Sequence, residues 1–194
     1  MLPPLTVPPS LLGLLQVARP CFTAPSFRTF AALVTGLIVQ TRRRTVVGML
    51  LGAGLTRAWP HDRAHYFFAR ARWSADQLGL ALAHLIVDRL LPEEAALQVA
   101  VDDTLFKRRG KKVYGAAWQH DGSATGPRKT GFGNNWVVLG LLVPLPFLAR
   151  PICLPVLARL WRPKTGRSKV ELARELVGVL LAAFPHHHLD LVGD

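Results

Sequence analysis

Two adjacent carboxylates and a hydroxyl, Asp102-Asp103-Thr104, directly follow the apolar run Val99-Ala100-Val101. Valine-rich runs are typical of buried strands, whereas acidic residues are poor strand formers, so the sequence predicts a strand that ends at the carboxylates. Carboxylates at the end of a buried strand can hold a metal ion. The basic tract 107–112 follows at once and would neutralise an anionic substrate, for which phosphate is the first candidate.

A second aspartate, Asp194, follows the last apolar segment of the chain, Leu189 to Val192. Two aspartates that each follow an apolar strand, in a basic protein, suggest metal-dependent chemistry on phosphodiesters. The residues alone leave another interpretation equally open, because Asp102-Asp103-Thr104 could form a turn closed by an aspartate side chain.

The charge balance predicts a polyanionic partner. The 194 residues include 24 Lys and Arg against 12 Asp and Glu, a formal charge of +12. Nucleic acid is the first candidate and an anionic membrane surface the second. Arginine suits bidentate phosphate contacts, although a solvated basic surface encoded by a GC-rich genome would also be arginine-rich.

Targeting and membrane signals are weak. Cys21 and Cys153 are isolated, which fits a reducing, cytoplasmic setting. The first nine residues carry prolines and no basic segment, so they make a poor signal peptide. Residues 136–149 are apolar but too short for the roughly 20 residues of a membrane-spanning helix, and Pro144 and Pro146 interrupt them.

Residues 1–95 are predicted to be a helical, DNA-binding domain. Residues 45–73 have the outline of a helix-turn-helix, in which a basic, aromatic helix spans His61 to Trp73 and Ser74 caps the next helix. Tyr66, Phe67 and Phe68 are predicted to lie in the core. Arg63, Arg70 and Arg72 are candidate phosphate contacts, and plain solvent exposure is an equal alternative.

Residues 96–194 read as strands and one helix. Strands at 97–101, 113–118 and 136–143 are predicted to form an antiparallel meander, followed by a strand-like or irregular edge piece at 152–161. A capping box, Ser168 to Glu171, opens a helix that ends near Phe184. The order β-β-β-α-β would return the last strand parallel to the first and bring Asp102 within roughly 8 Å of Asp194, near enough to share metal ions. His186 to His188 are expected to form a loop, since consecutive histidines cannot all face one zinc ion.

Several sequence elements resemble the DDE transposases of bacterial insertion sequences, whose catalytic domain has the ribonuclease H-like fold. They are Val101-Asp102-Asp103-Thr104, Tyr114-Gly115, Asn135-Trp136-Val137-Val138 and the basic, aromatic element Phe67 to Trp73. The resemblance extends from roughly residue 25 to residue 194. It implies an α+β fold in which a helical domain precedes an incomplete ribonuclease H-like domain.

The resemblance also implies the site. Asp102 and Asp194 would be the first two catalytic, metal-binding carboxylates, and Mg²⁺ or Mn²⁺ would be the cofactor. The partner would be double-stranded DNA at insertion-sequence ends, in the cytoplasm and nucleoid, with no membrane; a homo-oligomer stays an open option. The expected DNA contacts are Arg63, Arg70, Arg72, Lys107, Arg108, Arg109, Lys111, Lys112, Arg128 and Lys129.

The third family carboxylate, a glutamate on a later helix, has no counterpart. Glu171 and Glu175 precede the last strand, so neither can take that role. The chain is therefore expected to be an N-terminal fragment of a transposase, inactive alone. The alternative is a non-catalytic DNA-binding protein that acts through its helical half, for instance as a regulator of transposition.

Overall fold

The computed structural model describes residues 7–41, 45–110, 112–127 and 129–192. The chain divides into two compact units, residues 1–81 and 82–194. The division falls within a helix, and the predicted domain boundary between residues 95 and 96 stays a prediction.

The first unit is helical, as the sequence predicts. Hydroxyl side chains cap three helices, namely Thr23, Thr45 and Ser74, each of which accepts a hydrogen bond from the N–H three residues further on. The predicted cap at Ser74 is thereby confirmed. The elements are α1 (Pro9–Gln16), a 3-10 helix (Arg19–Cys21), α2 (Ala24–Val39), α3 (Val46–Gly52), α4 (His61–Ala69) and α5 (Ala75–Leu90), the last of which continues into the second unit.

Helix α4 is shorter than predicted, because it ends at Ala69 and not at Trp73. The backbone leaves helical geometry at Arg70, and the Trp73 indole N–H donates a hydrogen bond of 3.0 Å to the Phe67 carbonyl. The Trp73 ring stacks on the Phe67 ring with centroids 5.3 Å apart. Trp73 thus folds back onto α4 and joins its core instead of extending the helix.

Of the three aromatic residues predicted to lie in the core of α4, only Phe67 is buried. Tyr66 is 61% exposed and Phe68 is 51% exposed, so the prediction is wrong for these two. Successive residues of a helix point about 100° apart, so three consecutive side chains cannot share one narrow buried face.

The second unit is built on a five-stranded sheet within the described residues. The predicted helix after Ser168 is confirmed, and so is its capping box, in which the Ser168 and Glu171 side chains each bond the other residue's backbone N–H. The elements are β1 (Leu97–Lys107), β2 (Ala117–His120), β3 (Thr130–Val143), β4 (Ile152–Trp161), α6 (Lys169–Ala183) and β5 (Leu189–Val192).

Strand β5 returns parallel to β1, as predicted. Leu97 lies opposite Leu189, and Ala100 lies opposite Val192. A parallel pair requires a crossover connection, which α6 supplies. The fold is α+β with a partial ribonuclease H-like core.

The predicted meander is wrong in its order, because β1 pairs with β3 and not with β2. Strand β3 is 14 residues long. Its side away from β1 is shared by β2, opposite residues 130–133, and β4, opposite residues 135–143. The short β2 is therefore an addition at one end of β3. The strand-like or irregular edge piece predicted at 152–161 is a complete strand that, among the described strands, pairs with β3. Its register shifts at Leu139/Gly140, where Pro155 lies opposite Gly140.

The two faces of the sheet differ in burial. Odd-numbered residues of β3 between 135 and 143 are buried on the face that α6 contacts, together with Leu97 and Val99 of β1. On the other face, Ala100, Trp136, Val138 and Leu142 are only partly buried. No helix in the described ranges is both long and apolar enough to span a membrane.

Candidate functional site

Asp102 and Asp103 lie inside β1 and not at its end. The strand continues to Lys107 because its backbone pairs with β3, with Asp102 opposite Val138 and Asp103 opposite Val137. The predicted end at Val101 and the alternative of a turn are both wrong. The antiparallel ladder holds residues of low strand preference in extended conformation. Within the described residues, pairing with β5 covers only Leu97 to Ala100, so the two aspartates lie just beyond it.

The two carboxylates point to opposite faces of the sheet, because side chains alternate along a strand. Asp103 shares its face with Val99 and contacts Lys169 in the first turn of α6. Asp102 shares the other face with Thr104. Adjacent in sequence, the two aspartates therefore have different surroundings.

Asp103 is held by two partners. Its Oδ2 accepts a hydrogen bond of 2.6 Å from the Lys169 ammonium and one of 2.7 Å from the Asn135 amide. Burial raises the pKa of Asp103, but these two hydrogen bonds and the nearby charges of Lys169 and His120 outweigh it, so the pKa lies below its ordinary value. Asp103 thus links β1, β3 and α6 as a carboxylate.

Asp102 is exposed and has no such partner. Its Oδ1 accepts a hydrogen bond of 2.7 Å from the backbone N–H of Asp103, and no other side chain in the described part of the protein bonds to it. An exposed carboxylate without a counter-ion remains available to a cation or to substrate.

A cavity of about 570 Å³ lies beside these carboxylates. Its far wall is the turn after β2, where Asp121 is 3% exposed. Asp121 accepts hydrogen bonds from the Ser123 hydroxyl and N–H and forms an ion pair of 2.7 Å with Lys107. These contacts lower the pKa of Asp121 and fasten the turn to β1. The cavity is lined by Asp102 to Leu105, His120 to Ser123, and Lys169.

Some of the expected DNA contacts of this unit bond to other side chains, and others are exposed. Lys107 is bound to Asp121, and Arg108 donates through Nε to the Asn134 side chain at 3.2 Å. Arg109, Lys112 and Lys129 are exposed. Lys111 and Arg128 lie outside the described residues. The role of all seven in DNA binding stays a prediction.

In the helical unit, the three arginines predicted to contact phosphate also differ in exposure and in their contacts. Arg70 and Arg72 are exposed, whereas Arg63 donates to the Thr29 hydroxyl at 3.1 Å and lies over the Trp59 ring. Their contact with DNA likewise stays a prediction.

Sequence reasoning missed Lys169, Asn135 and Asp121 as members of the site. Lys169 is 66 positions from Asp103 and carries no motif of its own beyond following the capping serine. Asn135 occurs in an element that resembles the transposases, but its burial and its bond to Asp103 follow only from the pairing of β3 with β1. In the sequence, Asp121 looks like any other aspartate in a turn. Only its ion pair with Lys107, which the structure shows, identifies it as part of the site.

The described residues do not by themselves complete a metal site. They contain no group of three or more His, Cys, Asp or Glu placed to hold an ion. Asp102 offers hard oxygen ligands of the kind that Mg²⁺ prefers, whereas Asp103 forms an ion pair with Lys169. Asp194, the second predicted ligand, lies outside the described residues. His186 to His188 form the predicted loop between α6 and β5.

We predict that Asp103→Asn destabilises the protein and that the matched change Asp102→Asn does not. Because the folded-state pKa of Asp103 is lowered, its ion pair contributes stability above the ordinary value near pH 4, and this is lost as the pH falls through the folded pKa. Since the pair is partly exposed, the expected loss at pH 7 is roughly 0.5–1 kcal/mol. Urea unfolding at pH 7 and at acidic pH measures it, and an equal loss in both variants, or a loss in Asp103→Asn that does not shrink as the pH falls, would contradict the assignment.

Comparison with known proteins supplies the family. A family model described as DDE superfamily endonuclease matches residues 18–194. No curated protein and no solved structure matches the chain. The matched range includes β1 with Asp102 and Asp103, the crossover helix α6 and the parallel strand β5. The chain therefore belongs to the DDE superfamily endonucleases.

Proposed function

We propose that this chain is a DDE transposase polypeptide that binds double-stranded DNA at insertion-sequence ends and supplies Asp102 to metal-dependent strand cleavage. The observation that carries the proposal is the position of Asp102, an exposed carboxylate without a counter-ion among the described residues. It lies on β1, two residues beyond the last described pair with the parallel strand β5. Membership of the DDE superfamily endonucleases supports the reaction class and the DNA substrate.

The pairing of β1 with β5 favours Asp102 over Asp103 as the catalytic carboxylate. Ala100 lies opposite Val192, so these two residues share a face of the sheet. Asp102 is two residues after Ala100, and Asp194 is two residues after Val192. Residues two positions apart on a strand point to the same face. A ladder that continues in register would place both carboxylates on one face. Asp103 would lie on the other.

DDE superfamily endonucleases generally use divalent metal ions, and we propose Mg²⁺, with Mn²⁺ as a substitute. Asp102 and Asp194 would be the protein ligands. Mg²⁺ commonly takes one or two carboxylates and completes its shell with water and substrate phosphate, so this donor set suits it. The ion would stabilise charge on the phosphodiester, while Asp102 fixes where it binds along β1.

Cleavage by the 194-residue chain alone is not expected. Two-metal phosphoryl transfer depends on charge stabilisation by a full set of carboxylates, and the described residues contain no group of three or more His, Cys, Asp or Glu placed to hold an ion. A missing ligand that costs even about 4 kcal/mol would leave roughly a thousandth of the rate.

The cleavage prediction uses duplex DNA that flanks the coding sequence, with Mg²⁺ or Mn²⁺. The 194-residue chain should leave it intact, and a polypeptide extended by the reading frame downstream of codon 194 should cut it. In the extended protein Asp102→Asn should lower the rate at least about a thousandfold, because an amide is a poor ligand for a hard cation.

The matched control is Asp103→Asn in the same extended protein, which should retain cleavage at the temperature of the assay. Loss of cleavage in Asp103→Asn with retention in Asp102→Asn would reverse the assignment. Cutting by the unextended chain that depends on Asp102 would refute the expectation of an inactive polypeptide.

The second candidate function is a non-catalytic DNA-binding protein that acts through the helical half and regulates transposition. The charge of that half favours it. Residues 1–81 contain nine arginines, no lysine and two aspartates, a formal charge of +7. Either function places the protein with the nucleoid in the cytoplasm, and a homo-oligomer is compatible with both.

The partner prediction is that the chain binds duplex DNA with a strong dependence on salt. Each phosphate contact contributes about −0.9 to the slope of log affinity against log salt concentration. The double variant Arg70→Gln/Arg72→Gln should make the slope less steep by up to about 1.8, because both side chains are exposed and available to phosphate. Fluorescence anisotropy between 50 and 200 mM salt measures the slope. An affinity that is insensitive to salt would exclude DNA as the partner under both functions.

A further inference from the structure

A second candidate site lies in the helical unit, away from Asp102. A cavity of about 240 Å³ opens between the first turn of α2 and helix α4. Its polar walls are Ser26, Thr29 and Arg63, and its apolar and aromatic walls are Pro25, Tyr66, Phe67 and Ala71. Among the described residues, no carboxylate lines it, and the guanidinium of Arg63 is the only formal charge in its wall.

Arg63 is held in a fixed orientation. Its Nε donates a hydrogen bond of 3.1 Å to the Thr29 hydroxyl, and its guanidinium carbon lies 4.2 Å from the centre of the Trp59 ring. The Thr29 hydroxyl in turn donates to the Pro25 carbonyl at 3.1 Å, so the Thr29 orientation is also fixed. The two terminal nitrogens of Arg63 have no hydrogen-bond acceptor in the described part of the protein. A positioned guanidinium with unused donors is organised to receive a ligand.

The electrostatics of the cavity favour an anion. Burial lowers the pKa of Arg63, and the positive charge of nearby Arg28 lowers it further. In the described part of the helical unit, no carboxylate forms an ion pair with either arginine. A bound anion would offset the repulsion between these two positive charges. The first turn of α2, a 16-residue helix, brings the positive end of the helix to the same cavity.

We propose that this cavity binds a phosphate group, with Arg63 as its principal ligand. The planar fork of a guanidinium matches two phosphate oxygens, which is why phosphate is favoured over a spherical anion. Tyr66 is 61% exposed at the rim and can pack against whatever carries the phosphate. The group is either inorganic phosphate or a phosphodiester of DNA. The site is independent of the proposed cleavage activity, because it contains neither Asp102 nor a metal ligand.

The test is an NMR titration of the full 194-residue chain with inorganic phosphate, at constant ionic strength set with chloride. Saturable shifts are expected at the first turn of α2 and around Arg63. The variant Arg63→Gln should weaken phosphate binding at least about tenfold, since it removes the charge and the fork. The matched control is Arg57→Gln, an equal loss of charge at an exposed arginine of the same unit outside the cavity, which should bind phosphate like the wild type.

A second pair of variants tests the site if Arg63→Gln does not fold. Ser26→Asp adds a carboxylate to the cavity wall in the first turn of α2, where acidic residues stabilise helices, so folding should be preserved while phosphate is repelled. Ser26→Asn is its uncharged counterpart and should retain binding. Absence of saturable shifts in the wild type, or equal loss in Arg63→Gln and Arg57→Gln, or unchanged binding in Ser26→Asp, would overturn the proposal.

A short duplex DNA added to the phosphate-bound protein distinguishes the two sources of phosphate. If the site takes a phosphodiester, the duplex should displace phosphate and reverse the shifts around Arg63. If the site takes free phosphate, the shifts should persist while DNA binds elsewhere. Both results support a phosphate site. Neither depends on strand cleavage, so failure of the catalytic proposal leaves this one standing.

Discussion

The alternation of side chains along β1 is the constraint on which the site depends. Antiparallel pairing with β3 keeps β1 extended from Val99 to Lys107, and parallel pairing with β5 holds its first half. An extended strand must point adjacent residues to opposite faces, so Asp102 and Asp103 are separated by the backbone itself. Two carboxylates side by side would repel each other at a single site. Here one is left free on the less covered face, and the other is neutralised on the face of α6.

Asp103, Asn135 and Lys169 connect the three elements that must keep their register around Asp102. Asn135 is fully buried on β3, and its amide donates to Asp103. Lys169 brings the first turn of α6 to the same carboxylate and lies 5.7 Å from the centre of the Trp161 ring on β4. A partly exposed ion pair contributes little to stability. It joins the first turn of α6 to β1, the strand that carries the proposed catalytic residue. The Asn135 Oδ1 has no hydrogen-bond partner among the described residues, so the network is not saturated there.

The sequence was sufficient for those features that depend on local pattern. The capping box at Ser168 predicted the start of α6, and the apolar segment after it predicted a strand that returns beside β1. It failed where tertiary pairing outweighed local preference. The first strand was predicted to end at Val101 because acidic residues disfavour strands, yet pairing with β3 extends β1 to Lys107. Helix α4 was predicted to continue to Trp73, because the local sequence does not indicate that Trp73 stacks on Phe67. Lys169 could not be assigned to Asp103 without the fold, since 66 residues separate them.

The most direct test of the different roles of Asp102 and Asp103 is paramagnetic broadening by Mn²⁺ in NMR spectra of the full chain. We expect Mn²⁺ at low occupancy to broaden backbone resonances around Asp102, Asp102→Asn to remove the broadening, and Asp103→Asn to leave it. Broadening that survives Asp102→Asn and disappears in Asp103→Asn would contradict the account, because it would mean that the carboxylate beside Lys169 is the metal ligand.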